Sequence, residues 1–153
     1  MVLSKEHVVN QIREAFLGVK RPPDEKVLHF PNTGDELWIE SFLGNTETDW
    51  IDIGPEKIEY ECSALTVFSP SAFVYYLPAY MTWVINNYTT SSSNTLDHTL
   101  YDLDLTGRED ISRRIMGERF SALSREQGQA VLAFLKYMSG IKRIDSKAAR
   151  SAI

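Results

Sequence analysis

Residues Phe73 to Tyr88 read FVYYLPAYMTWVINNY, an almost unbroken run of aromatic and aliphatic side chains with one proline, Pro78, at its middle. The run lies inside 35 consecutive residues, Cys62 to Leu96, without a formal charge, in a chain of which 24% is charged. Its densest apolar part, Ala72 to Ile85, is about 14 residues long, short of the roughly 20 that a membrane-spanning helix needs. A buried central helix is therefore expected. Pro78 is read as its first helical position and Tyr88 as its end, because proline lacks the N–H that a first turn leaves unpaired. Ala79, Tyr80, Met81, Trp83, Val84, Ile85 and Tyr88 then cover most of its circumference, as in a helix surrounded by others.

On either side, the sequence supplies helices to surround it. Ser4 caps a segment whose apolar residues Val8, Ile12, Ala15, Phe16 and Val19 recur at i, i+4, i+7, i+8 and i+11, one buried stripe; Gly18 and Pro22-Pro23 end it. Asp24 to Pro31 has no periodicity and reads as a connection. Thr33 with Glu36 forms a capping-box pattern that starts a second helix, with Trp38, Ile39, Phe42 and Leu43 as its apolar face and Gly44-Asn45 as its stop. After a polar turn Trp50, Ile51 and Ile53 return to the core, and Pro55 opens another segment. There Ile58, Tyr60 and Cys62 alternate with glutamates, so a short strand competes with the favoured helix. Ser69-Pro70 reads as a cap and first position of one further turn. The run TTSSSNT, 89–95, is a surface loop. Thr106 with Glu109 gives a second capping-box pattern before a helix presenting Ile111, Ile115 and Met116 inward. Ser124 with Gln127 gives a third, before the stripe Val131, Phe134, Leu135, Met138.

The expected fold is thus mainly α: a compact single-domain bundle of about five or six helices over residues 1–140, with at most one short strand. Residues 141–153 form a basic tail, a frayed helix or a disordered end, carrying +3 and leaving −8 on the rest of a chain of net charge −5. At 153 residues the chain is long enough to bury about 70% of its unfolded surface around one core.

Trp50, then Phe73-Val74-Tyr75-Tyr76-Leu77-Pro78-Ala79, then Leu123-Ser124-Arg125-Glu126-Gln127-Gly128-Gln129-Ala130-Val131 leading into Phe134-Leu135, resemble a family of small bacterial proteins known as a domain of unknown function. The likeness spans residues 8–138, and its Tyr-Leu-Pro-Ala core is the more specific part. The resemblance implies a mostly helical single domain and carries over no catalytic or binding residue.

Composition narrows the function. A net charge of −5 and a pI near 5.2 oppose nucleic-acid binding, which needs a positive footprint to displace counterions; a basic protein partner suits this charge better. The lone Cys62 cannot form an internal disulfide, and no apolar h-region precedes the charged residues of the N-terminus. A reducing, cytoplasmic setting is expected. There is no glycine-rich phosphate loop and no nucleophile elbow, and no cofactor is implied. Cys62 reads as a buried structural thiol, because neighbouring Glu59 and Glu61 oppose thiolate formation. The arginines 108, 113, 114, 119 and 125, interspersed with acids, read as a paired solvated face.

Two groups of residues carry candidate chemistry. Asp97, His98, Asp102 and Asp104 have the oxygen and imidazole donors of a metal site. The segment Asp102 to Gly107 with Asp110 also echoes a calcium loop, but Arg113 stands where that loop needs a bidentate glutamate. Tyr75, Tyr76 and Tyr80 around Pro78 either fill the core or line a ligand pocket or interface. Three functional readings follow. The leading one is a non-catalytic protein-interaction module, with neutralisation of a basic partner in the manner of an immunity protein or antitoxin as one concrete form. The alternatives are a metal-assisted hydrolase built on Asp97, His98, Asp102 and Asp104, and a small-ligand binder with a tyrosine-lined pocket.

Overall fold

The computed structural model describes residues 3–44, 47–91 and 93–141, so the basic tail lies outside the described residues apart from Ile141. Six α-helices are present among them: α1 (Lys5–Ala15), α2 (Pro55–Tyr60), α3 (Pro70–Asn87), α4 (Thr95–Asp102), α5 (Asp110–Ser121) and α6 (Arg125–Ser139). Short 3-10 turns occur at Asp24–Lys26, Asp35–Trp38, Glu40–Phe42, Trp50–Asp52 and Ala64–Thr66. The described residues hold no strand. Ile58 to Tyr60 belong to α2, and among the described residues the β pairing is one antiparallel bridge between Leu28 and Phe68. The expected mainly α bundle is the observed fold.

The central helix starts earlier than its sequence indicates. It begins at Pro70, not Pro78, which lies inside it. Ser69 caps it, accepting from the Ala72 amide at 3.2 Å while donating to the Lys26 carbonyl at 2.6 Å. That second bond, with Ser69 N–H to Val27 O and His29 N–H to Val67 O, fastens the 24–31 connection to the helix entrance. An interior proline removes one helical hydrogen bond and costs about 3 kcal/mol. Here every residue from Ala72 to Met81 is buried. Each large side chain so removed from water contributes roughly 1.5–3 kcal/mol, so packing outweighs the local penalty.

Helices α1, α2, α4 and α5 pack against α3, and α6 lies on α1 as well. The α1 stripe behaves as its spacing demands: Val8, Ile12 and Phe16 are fully buried, and Ser4 accepts from the His7 amide at 3.1 Å. Trp50 closes the end of α1 by donating its indole N–H to the Phe16 carbonyl at 3.0 Å.

Of the three capping-box patterns, only Ser124 with Gln127 forms, each side chain accepting from the other residue's amide at 3.1 and 2.9 Å. The two that fail share a residue. Thr33-Gly34-Asp35-Glu36 and Thr106-Gly107-Arg108-Glu109 place glycine where the first helical residue belongs, and Gly34 and Gly107 adopt φ of +92° and +71°. A left-handed residue there cannot continue into a right-handed helix. Thr33 instead donates to Phe30 O and Glu36 accepts from the Asn32 and Gly34 amides, while Thr106 bonds Asp104 and α5 begins only at Asp110. The box that forms should matter to stability. Ser124→Ala is expected to remove about 1 kcal/mol, which thermal unfolding would show as a fall of roughly 2–4 °C for a chain of this size.

Three inward assignments along the chain are corrected. Ile111 is 75% exposed, Ile51 and Trp38 are 43% and 49% exposed, and the inward face of α5 consists of Met116 and Arg119.

Candidate functional site

Tyr75, Tyr76 and Tyr80 are fully buried. Tyr76 is stacked between Phe42 and Phe68, with ring centroids 4.6 Å away on each side. Tyr75 meets it edge-on at 4.8 Å. The hydroxyls do not converge. That of Tyr80 donates to the Glu61 carbonyl at 2.5 Å, that of Tyr76 accepts from Arg21 Nε at 3.2 Å, and that of Tyr75 has no hydrogen-bond partner. Arg21 also reaches the Phe42 carbonyl at 2.7 Å and Asp24 Oδ1 at 2.6 Å, while Asp24 Oδ2 accepts from the Gly44 amide. Asp24 is held below its usual pKa by those hydrogen bonds, the Arg21 one foremost. One guanidinium thus ties three chain segments to the aromatic core. Desolvation pushes all three phenols above the ordinary tyrosine range, so they remain protonated near neutral pH and supply no base.

The open surface lies elsewhere, along α4. A groove of about 550 Å3 is lined by Asp97, His98, Leu100 and Tyr101 from this helix, by Trp38, and by Ser63 and Thr66 from the segment after α2. Trp38 ends the 3-10 turn that follows Gly34, so the turn that replaced the expected helix is what carries its indole outward. Trp38 and Tyr101 are 49% and 57% exposed. The Arg108 guanidinium sits over the Tyr101 ring, 4.1 Å from its centroid, and bonds the Tyr101 and Asp104 carbonyls. It thereby adds donors to the carbonyls at and just beyond the α4 C-terminus, where the Asp104 amide also reaches Tyr101 O.

Beneath the groove, Asp102 is 1% exposed. Both of its carboxylate oxygens share one donor, the Thr66 hydroxyl, at 3.0 and 3.1 Å. Arg119, also 3% exposed, directs its Nε to the Phe68 carbonyl at 2.8 Å and its Nη2 to the Thr66 carbonyl at 2.7 Å. Arg119 is therefore not part of a solvated charged face. It binds the backbone carbonyls of Thr66, at the end of the Ala64–Thr66 turn, and of Phe68, just before α3. Desolvation raises the Asp102 pKa to about 6, against the pull of Thr66, Arg119 and Arg108. Its position at the negative end of α4 opposes ionisation further.

The four residues read as metal donors are separated by these roles. Asp97 and His98 line the groove, Asp102 points inward to Thr66, and Asp104 accepts from the Thr106 amide and hydroxyl. Among the described residues, no group of three or more His, Cys, Asp or Glu side chains is arranged to hold a metal ion. Cys62 is a free, half-buried thiol.

Nothing in the local sequence singles out Arg21 or Thr66, whose partners lie 21 to 55 residues away, whereas the expected inward face for Trp38 and solvated face for Arg119 are both reversed by the fold. The helical spacing of Met116 and Arg119 is the signal for the burial of Arg119.

No helix among the described residues is long and apolar enough to cross a membrane. Comparison with curated proteins and with solved structures gave no match. A family model does match, over residues 4–151, and the chain belongs to that family, the family of unknown function DUF6714.

Proposed function

We propose that the protein is a non-catalytic interaction module whose α4 groove receives a basic segment of a partner protein. The observation that carries this reading is the pairing of two exposed aromatic rings, Trp38 and Tyr101, with the carboxylate of Asp97 and the imidazole of His98 in one groove. Aromatic residues dominate binding energy at protein interfaces, and their rings attract cations. Tyr101 already holds one guanidinium, that of Arg108. The net charge of −5 would steer a basic partner toward the protein. Neutralising such a partner, as immunity proteins and antitoxins do, is one concrete form of this role.

Affinity capture from cells that make the protein tests it. Wild type is expected to retain a basic partner, the Trp38→Ala/Tyr101→Ala variant to lose it, and Asp97→Asn to weaken it with a shallower salt dependence. Equal retention by all three proteins would exclude the groove as the binding surface.

A further inference from the structure

A second concavity is bounded by α1, the Trp50–Asp52 turn, α2 and α3. Its volume is about 200 Å3. Trp50, Trp83, Ile53, Ile58 and Ala79 form an apolar wall, and three polar residues, Arg13, Thr82 and Asn86, complete the lining. Thr82 and Asn86 are four residues apart on α3 and so share one face of it. Arg13 comes from the last turn of α1.

One of these polar groups lacks employment within the protein. Arg13 is exposed and makes no ion pair or hydrogen bond with any described residue. Trp50 has its indole N–H committed to the Phe16 carbonyl, so it offers the cavity an apolar face.

We propose that this cavity binds a small carboxylic acid with an apolar body. The body would lie between Trp50 and Trp83 and against Ile53 and Ile58. The carboxylate would accept hydrogen bonds from the Arg13 guanidinium and the Asn86 amide. A mostly apolar, aromatic concavity with a few convergent polar groups is the usual form of a small-molecule site. Guanidinium is the side chain whose fork matches a carboxylate. The volume is below the roughly 300–1,000 Å3 of drug-sized sites, which selects a ligand the size of phenylacetate or a branched short-chain acid. This site is separate from the α4 groove, shares no residue with it, and does not depend on the interaction reading.

Trp50 and Trp83 are two of the three tryptophans in the chain, and the third, Trp38, lies in the α4 groove. Intrinsic fluorescence of the full chain carrying Trp38→Phe therefore reports on this cavity. It would be titrated with phenylacetate and 4-methylvalerate, each compared with its neutral amide, with calorimetry in parallel. The acids are expected to saturate at millimolar or lower concentration and to bind roughly tenfold more tightly than the amides, the discrimination of a charge-assisted contact. Arg13→Ala should abolish that discrimination while the unfolding temperature stays level. Absence of saturable binding by either acid, equal binding of acid and amide, or affinity unmoved by Arg13→Ala would each overturn the proposal. Arg13 is solvent-exposed, so that last variant is expected to fold.

Discussion

Replacement of Tyr76 by alanine is expected to lower the stability of the protein by about 4–5 kcal/mol, the largest effect of any single change considered. Truncating a buried aromatic side chain costs roughly 3–5 kcal/mol through lost transfer energy and the cavity left behind. Tyr76 adds to this the stacking with Phe42 and Phe68 on its two faces, each aromatic pair contributing about 0.5–1.5 kcal/mol beyond burial. It also leaves Arg21 Nε without its acceptor. Tyr76→Phe keeps the stack and loses only the hydroxyl, so it should cost about 1 kcal/mol. Urea unfolding of the two variants separates the contributions. A Tyr76→Ala cost no greater than that of Tyr76→Phe would show that the aromatic stack does not hold the core.

Asp102→Asn is expected to stabilise the protein above pH 6, although it removes a charge from a residue that is hydrogen-bonded and buried. The native Asp102 pKa is raised to about 6 from 3.8, first by desolvation. The native state therefore binds this proton more tightly than the unfolded chain does. The stability tied to the group is fully present below about pH 4, is lost as pH rises through about 6, and is constant above that. A shift of about two pKa units corresponds to roughly 3 kcal/mol. Asparagine is neutral at every pH and its amide oxygen can still accept from the Thr66 hydroxyl, so the stability difference between variant and wild type should grow between pH 4 and 7. Other titrating groups, such as Glu61, whose pKa is also raised by burial, cancel in that difference. A difference independent of pH across this range would mean that Asp102 is not a desolvated carboxylate. Arg119, lowered by desolvation, and Tyr80, raised by it, are titratable neighbours of this site, and both keep their protonation over the range tested.

How much of this was legible in the sequence depends on whether the deciding interaction was local. The stripes of α1 and α6 and the Ser124 box could be read directly, because their partners lie three or four residues away. The start of α3 was misplaced because Pro70 and Pro78 both suit a first turn, and only the surrounding helices make an interior Pro78 tolerable. The two failed capping boxes carried their own warning in Gly34 and Gly107, since a residue free to adopt positive φ between threonine and glutamate diverts both side chains. Trp38 was assigned inward in error, because its exposure follows from that diverted turn. The tyrosines were identified as a group, but whether they faced core or pocket was undetermined: Arg21 and the Glu61 carbonyl, their partners, are 55 and 19 residues distant. The groove was half visible. Asp97 and His98 drew attention as metal donors, whereas their neighbours Trp38 and Tyr101 give the surface a different chemistry.

The central proposal is a division of labour: the Tyr-Tyr-Leu-Pro-Ala segment builds the core, and the α4 groove is proposed to do the binding. Partner binding by the Trp38→Ala/Tyr101→Ala variant, measured on protein whose unfolding temperature is first compared with wild type, tests it most directly. Both rings are about half exposed, so the unfolding temperature is expected to move by no more than a few degrees. Affinity for the captured partner should fall at least about tenfold, as for removal of interface anchors. Wild-type affinity in that variant would contradict the account.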